Sequence, residues 1–340
     1  MEQQRATLAE IARAAGVSIP TVSKVLNGRP DVAPTTRHKV QTLLDQRGYT
    51  TRRTTRPTPR AGLIDLVLRD LGNPWAMQII DGVEELAYRA GFGVIVSAVH
   101  GRHRNRPDRR WTEQLATRRC DGVLLVLSDI SPSQRGQLDE LGIPVVIIDP
   151  AGQPPADIPS VGATNWAGGL TATEHLIELG HHQIAVIGGP PTVPCSRARV
   201  DGYRAAMNAA GHRIPTGYVR TGDFTAPSGY HETNALLDLA RPPTAVFACS
   251  DEMAWGAYEA LYERGLRVPD DLSVVGFDDL DAARWAVPPL TTVRQPLTEM
   301  AGMATRMLLS LAHGEELGSH RLELATPLVV RHSTRPLTTD

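Results

Sequence analysis

Two hydrophobic periods divide this chain, and the change falls near residue 63. Before it, apolar positions recur at helical spacing. Leu8, Ile11, Ala12 and Ala15 share one face, and Val22 and Val25 share another. Gly16 stands between them, where a sharp turn suits a residue without a Cβ. Val17 is expected to plug inward and Ser18 to accept a backbone N–H as N-cap. Pro20 falls in the next first turn, where a missing N–H is harmless. Leu8 to Asn27 therefore predicts two short helices and a tight turn. A third helix opens at Thr35 or Thr36, turns Val40, Leu43 and Leu44 inward and ends at Gly48. Tyr49 is expected to fold back onto the unit. Helical hairpins of this kind are common in small bundles. The alanine, glycine and valine offsets, together with a polar face of Thr21, Ser23, Lys24 and Asn27, favour a helix-turn-helix that reads DNA.

From Leu63 the texture changes to continuous apolar runs alternating with amphipathic segments. LIDLVL (63–68), GVIVSAV (93–99), GVLLVL (122–127) and PVVIID (144–149) read as buried strands. IAVIGG (184–189), TAVFACS (244–250) and LSVVGFDD (272–279) form a second set. Helices are expected between them, at 75–90, 196–210 and 251–265. Such alternation predicts two α/β lobes, each a doubly wound parallel sheet. Ligands bind outside the carboxyl ends of parallel strands, so a cleft between the lobes is the expected site.

Between the two regions lies TTRRTTRPTPRAG (50–62), with four arginines, prolines at 57 and 59 and no large aliphatic side chain. It reads as an extended or partly helical linker. Charge sharpens the division. Residues 1–60 carry 11 Lys/Arg against 4 Asp/Glu, whereas the remainder carries 24 against 33. A basic head on an acidic body suggests that only the head meets a polyanion. Cys120, Cys195 and Cys249 fit neither a disulfide framework nor a zinc site, which points to a reducing compartment. No apolar run approaches the ~20 residues of a membrane span, and no signal-peptide core is present. The expected location is the cytoplasm, in association with the nucleoid.

These motifs occur in an order that resembles the LacI/GalR family of bacterial transcription repressors. TLAEIARAAGVSIPTVSKVLNG, VAPTTRHKV and GY carry the likeness in the head. NPW (73–75), DGVEELAYRAG (81–91), DGVLLV (121–126) and GIPVVIID (142–149) carry it in the first lobe. NWAGG (165–169), EHLIELGHHQIAVIGG (174–189), SRARVDGYRAAM (196–207), ACSDEMAWGAYEAL (248–261), VPDDLSVVGFDD (268–279) and PPLTTVRQP (288–296) carry it in the second. The resemblance implies an N-terminal all-α helix-turn-helix headpiece at 1–49, the hinge linker at 50–62 and a periplasmic-binding-protein-like core at 63–335, ahead of a short tail at 336–340. The core would have two lobes joined by chain crossings near 161, 292 and 323. The first lobe would be 63–160 with 294–322, the second 161–293 with 323–335. It also implies a homodimer on a two-fold operator. The tail RHSTRPLTTD lacks the leucine heptads with which some relatives form tetramers.

For DNA, the resemblance assigns base reading to Ile19, Pro20 and Lys24. Lysine can reach guanine O6 or N7, and the other two offer apolar surface to a thymine methyl. Phosphate contacts fall to Thr7, Thr21, Ser23, Asn27, Thr36, Arg37 and Tyr49, with Ser18 at the helix start. Relatives wedge a hinge leucine into the minor groove, but this chain has no leucine between Leu44 and Leu63. Arg52, Arg53 and Arg56 would enter a narrow minor groove instead, or the segment is a plain tether. For the effector, the resemblance maps the cleft onto Trp75, Asp149, Arg199 and Phe224, and onto Ser250, Asp251, Asp278 and Gln295. Aromatic faces at Trp75 and Phe224 with charged hydrogen-bonding groups at Asp149, Arg199 and Asp278 suit a sugar or oligosaccharide. The alternative for Asp279, and less so for Asp278, is capping the following turn; Trp255 and Trp285 are read as core.

Enzymatic readings are weaker. Asp278 and Asp279 are adjacent, unlike the spaced acids of a glycosidase. GGPPTV (188–193) lacks a dinucleotide-binding glycine pattern, and His181–His182 has no metal-ligand spacing, so neither cofactor nor metal is expected. The expected function is a repressor of sugar-utilisation genes released by a sugar. A regulator that binds DNA better with its ligand, or a sugar-binding protein without DNA function, are the alternatives.

Overall fold

The structure, a computed structural model, describes residues 8–26, 32–46, 61–99, 107, 109–128 and 130–337. The chain divides into two compact units, Met1–Pro59 and Arg60–Asp340.

In the first unit, α1 (Leu8–Ala15), α2 (Ile19–Leu26) and α3 (Pro34–Gln46) enclose one small core. Ile11, Ala12, Ala15, Val22, Val25, Val40 and Leu44 are buried together with Val32, and Val17 and Leu43 pack against them. Gly16 adopts a φ of +67°, and the Val17 N–H closes the turn onto the Ala12 carbonyl at 3.0 Å. The Ser18 hydroxyl accepts the Thr21 N–H at 3.3 Å, so the expected cap is formed. Helix α3 begins slightly earlier than expected, because Pro34 supplies a fixed φ in its first turn.

The second unit contains two six-stranded sheets. The first lobe runs through β1 (Leu63–Leu68), α4 (Pro74–Arg89), β2 (Gly93–Ala98), α5 (Arg109–Arg118), β3 (Gly122–Val126), α6 (Pro132–Leu141), β4 (Val145–Ile148) and β5 (Ser160–Ala163). The chain then enters the second lobe through α7 (Asn165–Glu178), β6 (Ile184–Gly188), α8 (Pro194–Ala209), β7 (Val219–Thr221), α9 (Ala226–Leu237), β8 (Ala245–Ala248), α10 (Asp251–Glu263), β9 (Ser273–Asp278) and β10 (Thr291–Arg294). It returns to the first lobe for α11 (Leu297–Ala312) and β11 (Arg321–Leu324), and ends in the second with β12 (Leu328–Val329). The strand orders are β11-β5-β4-β3-β1-β2 and β12-β10-β9-β8-β6-β7. All pairs are parallel except β10 with β12.

Connections between the sheets therefore fall at Thr164, at Gln295–Pro296 and at 325–327. Residue 161 lies inside β5, residue 292 inside β10 and residue 323 inside β11, so each crossing comes just after its expected position. The strands continue their sheets to the last hydrogen bond before the chain leaves. Strands β3, β4, β6 and β8 are buried on both faces, as continuous Val/Ile/Leu/Ala runs require when helices cover a sheet on both sides. GVIVSA is the exception among the expected buried strands. As β2 it forms a sheet edge, and none of its residues is fully buried.

Helix starts are set locally. Asn73 caps α4 by accepting the Ala76 N–H at 2.7 Å, with Pro74 in the first turn. Ser250 caps α10 through the Met253 N–H at 3.1 Å. Helices α7 and α8 pack closely because Gly169 and Gly202 lie backbone to backbone, Gly169 against Arg199 and Gly202 against Trp166. This contact presents the face of α8 that carries Arg199.

One of the two expectations about tryptophan is corrected. Trp285 is 82% exposed at the end of a short 3-10 turn, rather than core. Trp255, on α10 of the second lobe, is partly buried against the core of the first lobe. His181 is buried and lies 2.9 Å from the Thr244 hydroxyl and 3.1 Å from the Arg335 carbonyl, where it anchors the C-terminal segment.

Candidate functional site

In the first unit, Ile19, Pro20 and Lys24 are exposed on the face of α2 opposite Val22 and Val25. Ile19 keeps 48% of its surface. Ser18 and Thr21 join hydroxyls at 2.9 Å at the start of α2. Thr36 and Arg37 are half-buried in the first turns of α3. Thr7, Asn27, Tyr49, Arg52, Arg53 and Arg56 lie outside the described residues, as does the Ser23 side chain.

In the second unit, a cavity of about 770 Å³ opens between the lobes. The first lobe contributes Trp75 from α4, Asp149 after β4 and the carboxyl ends of β1, β2 and β3. The second contributes Arg199 from α8, Phe224 after β7, Ser250 before α10 and Asp278 at the end of β9. Six of the expected residues thus share one cavity. Leu127, Asp149, Phe224 and Asp278 also adopt positive φ values of 47°, 48°, 72° and 125°. Non-glycine residues rarely hold such angles, and their gathering at strand ends around one cavity marks a site under functional constraint.

Arg199 organises the floor. Its Nε donates to Asn165 Oδ1 at 2.8 Å, Nη1 to the Cys249 carbonyl at 2.7 Å and Nη2 to Gln295 Oε1 at 3.1 Å. Its guanidinium lies 3.6 Å from the centroid of the Phe277 ring and 5.9 Å from that of Phe224. Gln295 Oε1 also accepts the Trp75 indole N–H at 3.3 Å. Gln295 thus sits behind the cavity, at a lobe crossing, and joins Trp75 of one lobe to Arg199 of the other. Gly189 leaves room for the Phe224 ring, which a Cβ there would strike.

Two expected residues have other duties. The Ser250 hydroxyl is spent on capping α10 and on the Phe224 carbonyl, 3.3 Å away. Asp251 is fully buried and does not line the cavity. Its carboxylate accepts the Leu280 N–H at 2.8 Å and the Thr292 hydroxyl at 2.5 Å. Asp279 faces neither the cavity nor a cap; Arg294 and Arg331 both pair with it, at 2.7 and 2.5 Å.

Electrostatics separate the acids. Burial pushes the Asp278 carboxyl up to about 7, against the pull of Arg199 and with the help of Asp149. Burial raises Asp149 as well, and Arg199 and Gln295 oppose the rise. The cysteine thiols of Cys195 and Cys249 are pushed up by burial to about 12, which leaves them unreactive. Asp278 Oδ1 is 3.5 Å from Arg199 Nη1 yet has no hydrogen-bond partner among the described residues. A buried acceptor facing a cavity without a donor is a position for a ligand hydroxyl or amide.

The structure adds residues that the sequence did not single out. Asn165 holds Arg199 from the first turn of α7. Asp70, Asp223 and Glu252 line the cavity as well. Burial raises Glu252, with Asp70 and Asp223 adding to the rise. Asp70 was accessible to sequence reasoning, since it closely follows the carboxyl end of LIDLVL. Asn165 was not, because nothing local indicates its partner.

A two-lobed receptor of the periplasmic-binding type, preceded by a helix-turn-helix unit, is the class that fold and cavity define. Residues 7–52 match the bacterial regulatory proteins of the lacI family, and residues 173–334 match a periplasmic binding protein-like domain. The HTH-type transcriptional repressor CytR of Escherichia coli K12 is 32% identical over 338 residues, covering 99% of this chain and 98% of that protein. A transcriptional regulator CelR–cellobiose complex is 36% identical, with a TM-score of 0.73 over 97% of this chain and 100% of that one. The lac repressor dimer bound to operator and the anti-inducer ONPF is 28% identical, with a TM-score of 0.70 over 98% of this chain and 100% of that one. The chain belongs to the lacI family: it is a DNA-binding transcriptional regulator, not an enzyme.

Proposed function

We propose that the protein is a homodimeric repressor of sugar-utilisation genes, released from a two-fold operator when a sugar fills the inter-lobe cavity. The observation that carries this reading is the floor of the cavity. Arg199, Asp149 and the Asp278 oxygen that has no hydrogen-bond donor offer charge-assisted hydrogen bonds to hydroxyls, and Trp75 and Phe224 offer flat apolar faces beside them. A hydroxyl-rich ring presents the complementary pattern of polar edge and C–H face. CelR, which binds cellobiose, is similar over nearly the whole chain. The volume of about 770 Å³ suits a ligand larger than one sugar ring.

At the operator, Lys24 reads a base and Ile19 and Pro20 meet a thymine methyl, while Thr21, Thr36 and Arg37 hold phosphates. Arg52, Arg53 and Arg56 serve the minor groove in place of a hinge leucine. The headpiece spans 1–49, the linker 50–62, and the core the remainder to 335. No helix among the described residues is long and apolar enough to cross a membrane. The site of action proposed is the cytoplasm, at the nucleoid.

Thermal-shift screening of the full chain against a panel of sugars, followed by gel shift on a selected operator with and without the hit, tests this function. Release of DNA by a sugar that raises the melting temperature supports it. Tighter DNA binding in the presence of that sugar would replace it with co-repression.

A further inference from the structure

Three consecutive residues at the end of β9 do three different things. Asp278 faces the cavity with a buried, unpartnered oxygen. Asp279, with its side chain only 1% exposed, is clamped to the second lobe by Arg294 of β10 and Arg331 beyond β12. Leu280, 1% exposed, leaves its own lobe and belongs to the core of the first, with Ala76 of α4 and Leu297, Met300 and Ala301 of α11 in the same cluster. Trp255 of α10 packs against that cluster too. An apolar side chain of one lobe embedded in the core of the other fixes the angle between them in a way that a surface contact cannot, because packed interiors do not deform continuously.

The backbone here leaves little slack. Asp278 and Asp279 hold φ values of 125° and 57°, so the segment is wound tightly between cavity and core. The Asp278 carbonyl accepts the N–H of Gln295, the residue at a lobe crossing, at 3.1 Å. The Leu280 N–H is held by Asp251, which also holds Thr292 of β10. A displacement at Asp278 therefore reaches Leu280 through two peptide units whose other exits are fastened.

We propose that Leu280 is a positioning residue that seats the second lobe in the first and converts occupancy of the cavity into a change of lobe angle. This rests on the sugar reading for the nature of the occupant, but not for the seat itself. Leu280 acts through the lobe angle alone and not by contact with effector or DNA.

The test compares Leu280→Ala and Leu280→Met in the full chain, with small-angle X-ray scattering of the sugar-free protein as one arm. The other arm measures how far cellobiose, the probe, changes operator affinity. In Leu280→Ala the sugar-free scattering profile shifts to a larger radius of gyration, and the effect of cellobiose on operator affinity shrinks about tenfold. Leu280→Met, which refills the seat, restores both. A lower melting temperature with unchanged scattering and an unchanged effect of cellobiose would make Leu280 ordinary core and overturn the proposal. If cellobiose leaves wild-type operator affinity unaltered, that sugar is struck out as effector, and the scattering arm alone decides the role of Leu280. Should Leu280→Ala fail to fold, Leu280→Val is read in its place.

Discussion

Arg199 Nη1 lies 3.5 Å from Asp278 Oδ1, close enough for attraction but without a hydrogen bond. Three of the arginine's five N–H donors are held by Asn165, the Cys249 carbonyl and Gln295, which fixes the guanidinium and leaves two donors for a ligand. A rigid cation beside an acceptor that lacks a donor is a preorganised site: the protein has met the cost of orienting both groups before a ligand arrives.

The titration of Asp278 follows from that arrangement. Ligand hydroxyls donate to the ionised carboxylate, whereas the empty site, with its carboxyl near 7, is partly protonated at neutral pH. Effector affinity should therefore rise as pH increases through about 7 and level off above it, with release of a proton on binding. Calorimetry in buffers of different ionisation enthalpy measures that proton. The stability contribution has the opposite trend. A carboxyl raised on folding contributes stability that is complete below its unfolded value and lost as pH rises through its folded one. Asp278→Asn should weaken effector binding, flatten its pH profile and gain melting temperature relative to wild type between pH 5 and 8.

Gly189→Ala tests the placement of Phe224. A methyl group there would strike the Phe224 ring and drive it from its position in the cavity wall. Effector affinity should fall about tenfold, the scale of one lost apolar contact, with a smaller loss of stability. Unchanged affinity in a titration would remove Phe224 from the effector site.

Much of this architecture is legible in the residues. Continuous apolar runs such as GVLLV and VVII mark strands buried on both faces, and Asp149 and Asp278 follow such runs, where ligands of parallel sheets bind. Short strands carry no such signal: RLEL and LV become β11 and β12 only because a neighbouring strand offers its edge. Nor could local pattern separate Asp251 from Asp278. Both are buried acids near strand ends, and only the tertiary path of the chain directs one to Leu280 and Thr292 and the other to the cavity. Trp285 fails for a related reason. Hydrophobicity ranks it as core, but it ends a 3-10 turn that projects outward.

Asp251 offers a stability test. Asp251→Ala leaves the Leu280 N–H and the Thr292 hydroxyl without their acceptor in a fully buried setting. The expected loss is about 2–4 kcal/mol in urea unfolding. Asp251→Asn retains one acceptor and should lose less. A loss below about 1 kcal/mol in the alanine variant would mean that water replaces the carboxylate.

Lys24 is exposed on α2 beside Ile19 and Pro20. If it reads a base, Lys24→Ala should cost about 1–3 kcal/mol of operator binding and relax the preference at a single base-pair position. Selection from a randomised operator library separates this from a phosphate contact, whose loss weakens all sequences equally and lowers the salt slope by about one.

Lobe closure and operator binding must influence each other equally if one conformational equilibrium serves both. Coupling of this kind typically amounts to ~1–3 kcal/mol. Gln295 is placed to transmit it, since its Oε1 accepts from Trp75 of one lobe and Arg199 of the other at a chain crossing. Operator DNA should therefore weaken effector binding by the same factor by which effector weakens operator binding, as read in paired titrations of the same preparation. Gln295→Ala removes the shared acceptor. It should reduce both factors together while the headpiece retains its sequence preference. Effector affinity that is identical with and without saturating operator would leave the two units uncoupled and remove the allosteric step from the mechanism.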